Sequence, residues 1–583
     1  MPIPKEAYEG PPSRIPVTTL LGTAAALLWV AWCVRFFDAG AAWRPSLLAA
    51  LPSWALLGPC LVLLAVWILA RWPALAGTPL PRPLLWGVLT LAALAVFARL
   101  PFVTHGAAAV MTPDGVVYGN VALRILEGSE YPVFLPSQPY GGVLKSILAI
   151  PLIVIMDPAR AFALYSVLVY AVFVAGLFRL TAWLFGGRAA VIAGIYAVFP
   201  PVFLNRFSLS NDGTYVELLA LGAWVLWLAA RWTQEERHQT VLALAVGVLI
   251  GLGFWLHIVA VIHLAAVGLV FAVVGGRRAL VSLAALAGGV GLGAAPALLW
   301  NAANSWQTFE YFIPGRARDA DAAAEGVLAG LGGKAHLLLT GDLPILMGYD
   351  QGYGPALDRV FAVVGWIGVA AAAVALVWMG VLAVRRRSMP LALLLLFVAI
   401  NVALVLVAVR HVPGNPRYLI TVMSVLPAFL AVTFGTGWRR LVLGALIVVS
   451  SLANMSQLPA TVRRDGRWRA FVERLEAEGV RYCYSDFHLA TRITFLSQQD
   501  VICCSKLGPY TTQFIFDYRR RVEAADEAAF VAVNRTAGRR LGRRLDELGV
   551  GYERLDLMKP VLLRLDRKVD PEELFPGREF PWR

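Results

Sequence analysis

The sequence predicts a polytopic α-helical membrane protein of about 13 spans, ending in an α/β domain outside the membrane. Three observations carry this. Hydrophobic residues make up 59% of the 583 and charged residues only 15%, where ordinary soluble chains have about 45–50% and about 25%. Basic residues gather in short connections between apolar runs. From about Ser456 the composition changes and charge rises sharply.

The elements follow in order. Residues 1–16 are polar. The apolar run 17–37 is too long for a signal-peptide core and lacks a clear small-residue cleavage site, so it reads as a retained span. Runs 47–70 and 84–100 are spans two and three. The connection 71–82 carries Arg71 and Arg82 and is placed in the cytoplasm, with the N-terminus. Further spans are marked at 161–185, 189–204, 215–230, 241–256, 258–274, 280–300, 360–384, 390–409, 419–434 and 441–453. Arg188, Arg231, Arg237, Arg277, Arg278, Arg385, Arg386, Arg387, Arg439 and Arg440 then all fall on the cytoplasmic side. This distribution assigns the net charge of +14 to anionic headgroups rather than to nucleic acid. The outer side receives 104–145, 205–213, 301–353 and 410–417, where Arg410 and Arg417 run against the charge bias. An odd number of spans puts the C-terminal domain outside.

Beyond 456, a helix at 470–478 closes on Gly479. Strands are expected at 481–485, 501–504, 530–534 and 560–565, and a helix at 539–548 closes on Gly549. Outside the cytoplasm, Cys483 and either Cys503 or Cys504 can form a disulfide; buried free thiols are the alternative. Cys33 and Cys60 lie in apolar runs. Three parts result: 1–83, a tail and an extra hairpin; 84–455, the main membrane domain with outer loops 101–160 and 301–357; and 456–583, the outer domain. There is no repeat, low-complexity tract, P-loop or HExxH motif.

The stretch 112–145, TPDGVVYGNVALRILEGSEYPVFLPSQPYGGVLK, is a long polar interruption in a chain that is mostly membrane. Such loops are usually kept for function. Thr112, Pro113 and Asp114 make a good helix start before 116–127, which accounts for Asp114 as a first-turn acid. Asp114 is equally a candidate general base that takes a proton from an attacking hydroxyl. Asp212 lies in LSNDGTY, where Asn-Asp-Gly is a turn signal. Its functional reading is a second carboxylate that orients an acceptor or, with Asp114, holds a divalent cation such as Mg, Mn or Ca. Glu217, one turn into the next span, is with Asp212 a candidate to position the acceptor or bind a cation in a cavity; snorkelling to the surface is the alternative.

Lys145 and Arg417 are candidate phosphate ligands, with interfacial snorkelling as the alternative. Gln138, Tyr140, Tyr418 and His257 are candidate cavity residues; belt aromatics and a hydrogen-bonded structural histidine are the alternatives. His263 reads as structural. Loop 301–353 holds Glu310, Arg316, Arg318, Asp319, Asp342 and Asp350, none of which stands out.

An acid before a surface helix (PDGVVYGNVALRILEG), a QPYGG segment with its lysine, and an outward RYL at a span start together resemble the GT-C membrane glycosyltransferases. The resemblance is specifically to the branch that contains the protein O-mannosyltransferases and the lipid A aminoarabinose transferase. The resemblance covers about 84–434. It implies a GT-C-like fold and inverting transfer of a sugar from a polyprenyl-phosphate donor to a glycan, lipid or protein hydroxyl. It also implies a prokaryotic plasma membrane enzyme with Asp114 at the catalytic centre and Lys145 and Arg417 on the lipid phosphate. The chain departs from the mannosyltransferases in having Gly115 where they carry Glu, and in placing the acid after the third span. A transporter or flippase of lipid-linked sugars is the rival reading, and a membrane scaffold with an outer partner-binding domain is a third.

Overall fold

The computed structural model describes residues 17–38, 41, 48, 50–135, 138–210, 212–276, 279–310, 327–407, 416–506, 517–557 and 560–575. The chain forms two compact units, 1–79 and 80–583. In the first, Val17–Phe36 and Trp54–Ala76 form an apolar hairpin. Gly22 lies against the Trp67 ring, and Arg71 donates to Thr18 Oγ1 at 2.7 Å.

Eight helices among the described residues are long and apolar enough to cross a membrane, or up to twelve if each bent pair counts as one span. Ile258–Val274, the remaining segment read as a span, is a shorter apolar helix. The protein is thus a multi-pass membrane protein. Four spans of the second unit are broken: Arg82–Phe97 with Leu100–Val110 (45°), Gly187–Val198 with Val202–Ser210 (71°), Ala279–Gly293 with Ala295–Ala303 (70°), and Arg417–Ser424 with Leu426–Phe434 (54°). Proline stands at or just before each restart, as Pro101, Pro200–Pro201, Pro296 and Pro427. Its ring cannot donate to the preceding turn but suits the first turn of a new helix.

The breaks alter two elements read from sequence. Residues 101–110 and 205–210, expected as loops, lie in helices that continue their spans at an angle, and the expected span 189–204 is broken before Val202. Residue 417 begins a tight 3-10 segment rather than an α-helix.

The β-hairpin β1 (Phe134–Leu135) and β2 (Gln138–Gly142) lies between the Asp114 helix, Pro113–Leu126, and the short helix Leu144–Ile153. The C-terminal region builds a five-stranded sheet from β3 (Tyr482–Tyr484), β4 (Ile502–Cys504), β5 (Ala529–Ala532), β6 (Tyr552–Asp556) and β7 (Val561–Leu565). Its order is β4-β3-β5-β7-β6. β3 runs parallel to β4 and β5, while β7 is antiparallel to β5 and β6. Cys483 and Cys503 stand opposite each other on β3 and β4, with Cα atoms 4.5 Å apart, and form a disulfide; Cys504 is free and buried. The first helix, Leu458–Ala477, starts well before the expected residue 470.

This sheet domain packs onto the segments that carry the polar site. Leu458–Ala477 crosses Leu100–Val110 where Gly106 leaves room for Thr461. Phe487–Leu496 crosses the Asp114 helix at Gly119, where an added Cβ would fall 2.4 Å from the Phe495 ring.

Candidate active site

Thr112 is extended, and its Oγ1 accepts from Gly115 N at 3.2 Å, which caps the Asp114 helix. The cap is therefore made by Thr112, and Asp114 sits in the first turn of the helix. Thr112 N donates to Ser210 O at 3.4 Å. That bond joins the start of the Asp114 helix to the end of Val202–Ser210, two residues before Asp212. Asp212 N in turn donates to Ser210 Oγ at 3.4 Å. Two loops far apart in sequence thus present their carboxylates to one region.

Lys145 enters from the other side. Its Nζ donates to Gly213 O, stands 3.9 Å from Glu217 Oε1, and lies 4.2 Å from the centre of the Tyr118 ring. The side chain is fully buried. The backbone dictates this placement. An added Cβ on Gly142 would fall 2.0 Å from Trp255 O, so only glycine lets β2 run this close. Gly141 pairs with His257, Trp255 Nε1 donates to Val133 O at 3.1 Å, and Thr214 Oγ1 donates to Leu256 O at 3.1 Å. Hairpin, helix break and Asp212 turn are bonded into one frame.

His257 Nδ1 accepts from Val259 N at 3.2 Å, so the histidine caps the next turn. Its ring also forms part of an aromatic wall. Tyr140, Tyr215 and Tyr418 have their centroids 5.5, 5.4 and 6.5 Å from it, and Tyr215 is 6.0 Å from Tyr418. Arg417 stacks on Tyr418 at 5.1 Å and donates to its hydroxyl at 3.2 Å. Gln138 is partly buried on β2. Thr308 donates to Pro139 O, which ties the segment that follows Asn301 to the hairpin.

The charges form one network. Burial, then the nearby Asp114 charge, pushes the Asp212 carboxyl up to about 6, with Arg417 and Lys145 opposing. Glu217, Asp212 and Asp114 all act on Lys145. Two carboxylates are a partial donor set for a hard cation, which commonly completes its shell with water and substrate phosphate oxygens. No group of three or more His, Cys, Asp or Glu side chains gathers among the described residues.

Asp114, Asp212, Glu217, Lys145 and Arg417 therefore come together, with Tyr140, Tyr418 and His257 beside them. His263 lies apart, 4.7 Å from Phe397 inside the bundle. Asp350 takes a separate role, bonding Arg206, Tyr353 and Gln457. Arg316, Arg318, Asp319 and Arg410 lie outside the described residues. Tyr118 and Tyr215 were not among the residues singled out from sequence. Tyr215 carried a signal, since it directly follows the Asn-Asp-Gly turn.

Residues 143–300 match the family model described as dolichyl-phosphate-mannose-protein mannosyltransferase. That segment holds Lys145, Asp212, Glu217 and His257, whereas Asp114 and Arg417 lie outside it. ArnT from Cupriavidus metallidurans in the apo state is 12% identical, with a TM-score of 0.52 over 82% of this chain and 97% of that one. The same protein bound to undecaprenyl phosphate is 13% identical with the same score and coverage. The Archaeoglobus fulgidus oligosaccharyltransferase, in complex with Zn and sulfate, is 14% identical, with a TM-score of 0.46 over 82% of this chain and 73% of that one. No curated protein sequence matches the chain. The chain carries the fold of the GT-C membrane glycosyltransferases, and its residues 143–300 carry the sequence pattern of their protein-mannosyltransferase members.

Proposed function

We propose that the protein is an inverting glycosyltransferase that moves a sugar from a polyprenyl-phosphate donor to an acceptor hydroxyl at the outer face of a prokaryotic plasma membrane. The observation that carries this is the meeting of Asp114 and Asp212 with Lys145 and Arg417, brought from four separate segments. A site for this chemistry needs a base for the attacking hydroxyl and cations for the departing phosphate. The undecaprenyl phosphate bound to Cupriavidus ArnT supports the donor class.

Asp114 takes the acceptor proton as the acceptor oxygen attacks the anomeric carbon. The bond from that carbon to the phosphate oxygen breaks on the opposite side, and the polyprenyl phosphate leaves. Arg417, partly exposed and held by Tyr418, meets the developing phosphate charge with a fork of donors. Lys145 adds its charge from behind the Gly213 carbonyl. Asp212 and Glu217 orient the acceptor, and Tyr140, Tyr418, His257 and Gln138 wall the sugar. Asp114 and Asp212 would supply the carboxylate ligands of an Mg, Mn or Ca ion, whose chemistry would be to neutralise phosphate. The outer domain stands over the acceptor side, where a glycan, lipid or protein arrives.

The test uses purified protein in lipid nanodiscs with radiolabelled polyprenyl-phosphate sugars and a panel of glycan, lipid and peptide acceptors. The expected result is label in an acceptor together with released polyprenyl phosphate. Movement of intact donor across vesicle membranes with no cleavage would overturn the proposal in favour of a flippase.

A further inference from the structure

We propose that Arg492 of the outer domain is a positioning residue that fixes the joint before the Asp114 helix, so that this domain sets where the Asp114 carboxylate stands. Its importance for turnover rests on the transferase reading above. Arg492 Nη2 donates to Met111 O at 2.7 Å and Nη1 to Ala108 O at 3.3 Å. These carbonyls end the helix Leu100–Val110, where no later backbone amide continues the ladder and a cation suits the helix terminus. Met111 is followed at once by Thr112, Pro113 and Asp114. The joint that Arg492 holds is therefore the hinge on which Asp114 turns.

Further contacts make the guanidinium part of a clamp. The Arg492 guanidinium stacks on Trp468 at 4.6 Å, so its own position is set by the neighbouring helix of the same domain. Asp465, on that helix, accepts from Ala108 N at 2.7 Å with one oxygen and from Arg469 at 2.9 Å with the other. Arg469 also bonds Asp157, beyond the hairpin. Along the Asp114 helix, Asn120 Nδ2 donates to Thr491 O at 3.0 Å, and Phe495 covers Gly119. At its far end Arg124 pairs with Asp517 at 2.7 Å. The helix is thus held at its hinge, its middle and its end by one domain. Its first turn faces the membrane-side charges, and nothing in the sequence order links these parts. A base must sit within a hydrogen bond of its proton, and displacement by about 1 Å can cost about 100-fold in rate.

The experiment uses the full chain in nanodiscs, with Arg492→Gln, Arg492→Lys and Asn120→Leu. Two readouts are taken: kcat and donor KM, and hydrogen exchange of amides 113–126. Arg492→Gln is expected to lower kcat by about 10- to 100-fold with donor KM unchanged, and to speed exchange in 113–126 selectively. Arg492→Lys, which keeps the charge on a single donor nitrogen but loses the fork, is expected to recover part of both. Asn120→Leu removes a neighbouring clamp bond and shifts both readouts in the same direction, which keeps the idea testable if Arg492→Gln does not fold. Unchanged exchange in 113–126, uniformly faster exchange across the chain, or a loss carried by KM alone would each overturn the proposal. If the wild type transfers no sugar but exchange responds as described, the positioning role stands and the transferase reading falls.

Discussion

Lys145 Nζ and Glu217 Oε1 lie 3.9 Å apart with both side chains buried, and the same ammonium donates to the Gly213 carbonyl. This pair joins the start of one helix to the first turn of another and carries the Asp212 turn between them. Removing one partner from such a pair leaves an uncompensated buried charge, at a cost of about 3–5 kcal/mol. Lys145→Met is expected to lower thermal stability in nanodiscs far more than Lys145→Met with Glu217→Gln. A double variant no better than the single would contradict the pairing.

Asp114→Asn keeps the size and the Thr112 cap but cannot accept a proton. If Asp114 is the base, turnover falls by at least about 100-fold while the binding of donor lipid is retained. Thermal stability should barely change, because the cap is made by Thr112 Oγ1. Thr112→Ala should do the reverse in part, costing about 1 kcal/mol of stability. Near-normal turnover by Asp114→Asn would remove the proposed base.

Asp212 supplies a pH test. Its carboxyl is pushed up to about 6 from an ordinary 3.8, by burial and then by Asp114. The folded protein therefore binds more protons than the unfolded chain between these values, so stability falls as pH rises through that window, by about 3 kcal/mol in total. Asp212→Asn removes the penalty. At pH 8 it should unfold at a higher temperature than the wild type, and below pH 4 the difference should disappear. If the ionised form orients the acceptor, transfer should also rise with pH around 6, and Asp212→Asn should abolish that limb. A stability difference independent of pH would sink this account.

Chelation addresses the cation. If Asp114 and Asp212 hold Mg, Mn or Ca, dialysis against EDTA should suppress transfer and one of these ions should restore it. Asp212→Asn should then raise the metal concentration needed for half-activity. Full activity after chelation would assign the two carboxylates to the acceptor alone.

The spans were legible because runs of about 20 apolar residues have one stable solution in a bilayer. The Asp114 helix was legible too, since Thr-Pro-Asp starts it and Gly128, at φ +72°, follows its end. The breaks were harder to read. Pro200 and Pro201 stood in plain view, yet apolar length alone joined 189–204 into one span. β6 escaped because YERLD has no apolar alternation and lies exposed at the sheet edge. The meeting of Lys145 with Glu217, and of Thr112 with Ser210, depends on how separate segments pack, which no local pattern encodes. Arg492 showed nothing in sequence beyond one charge in a stretch, 486–500, where no element was expected; the helix Phe487–Leu496 that carries it emerges only in the structure.

Gly142 offers the sharpest steric test. A Cβ there would lie 2.0 Å from Trp255 O, which is backbone and cannot rotate away. At Gly141 the nearest neighbour would be Tyr118 Oη at 3.1 Å, the end of a side chain that can give. Gly142→Ala must therefore push β2 off the helix end at Leu256 and carry Lys145, three residues on, away from Gly213 and Glu217. The expected cost is about 1–3 kcal/mol of stability, with loss of transfer even where the protein still inserts. Gly141→Ala should leave both within a small factor of wild type. Equal effects of the two substitutions, measured by thermal unfolding and turnover in nanodiscs, would show that the approach of β2 to Trp255 does not set the position of Lys145.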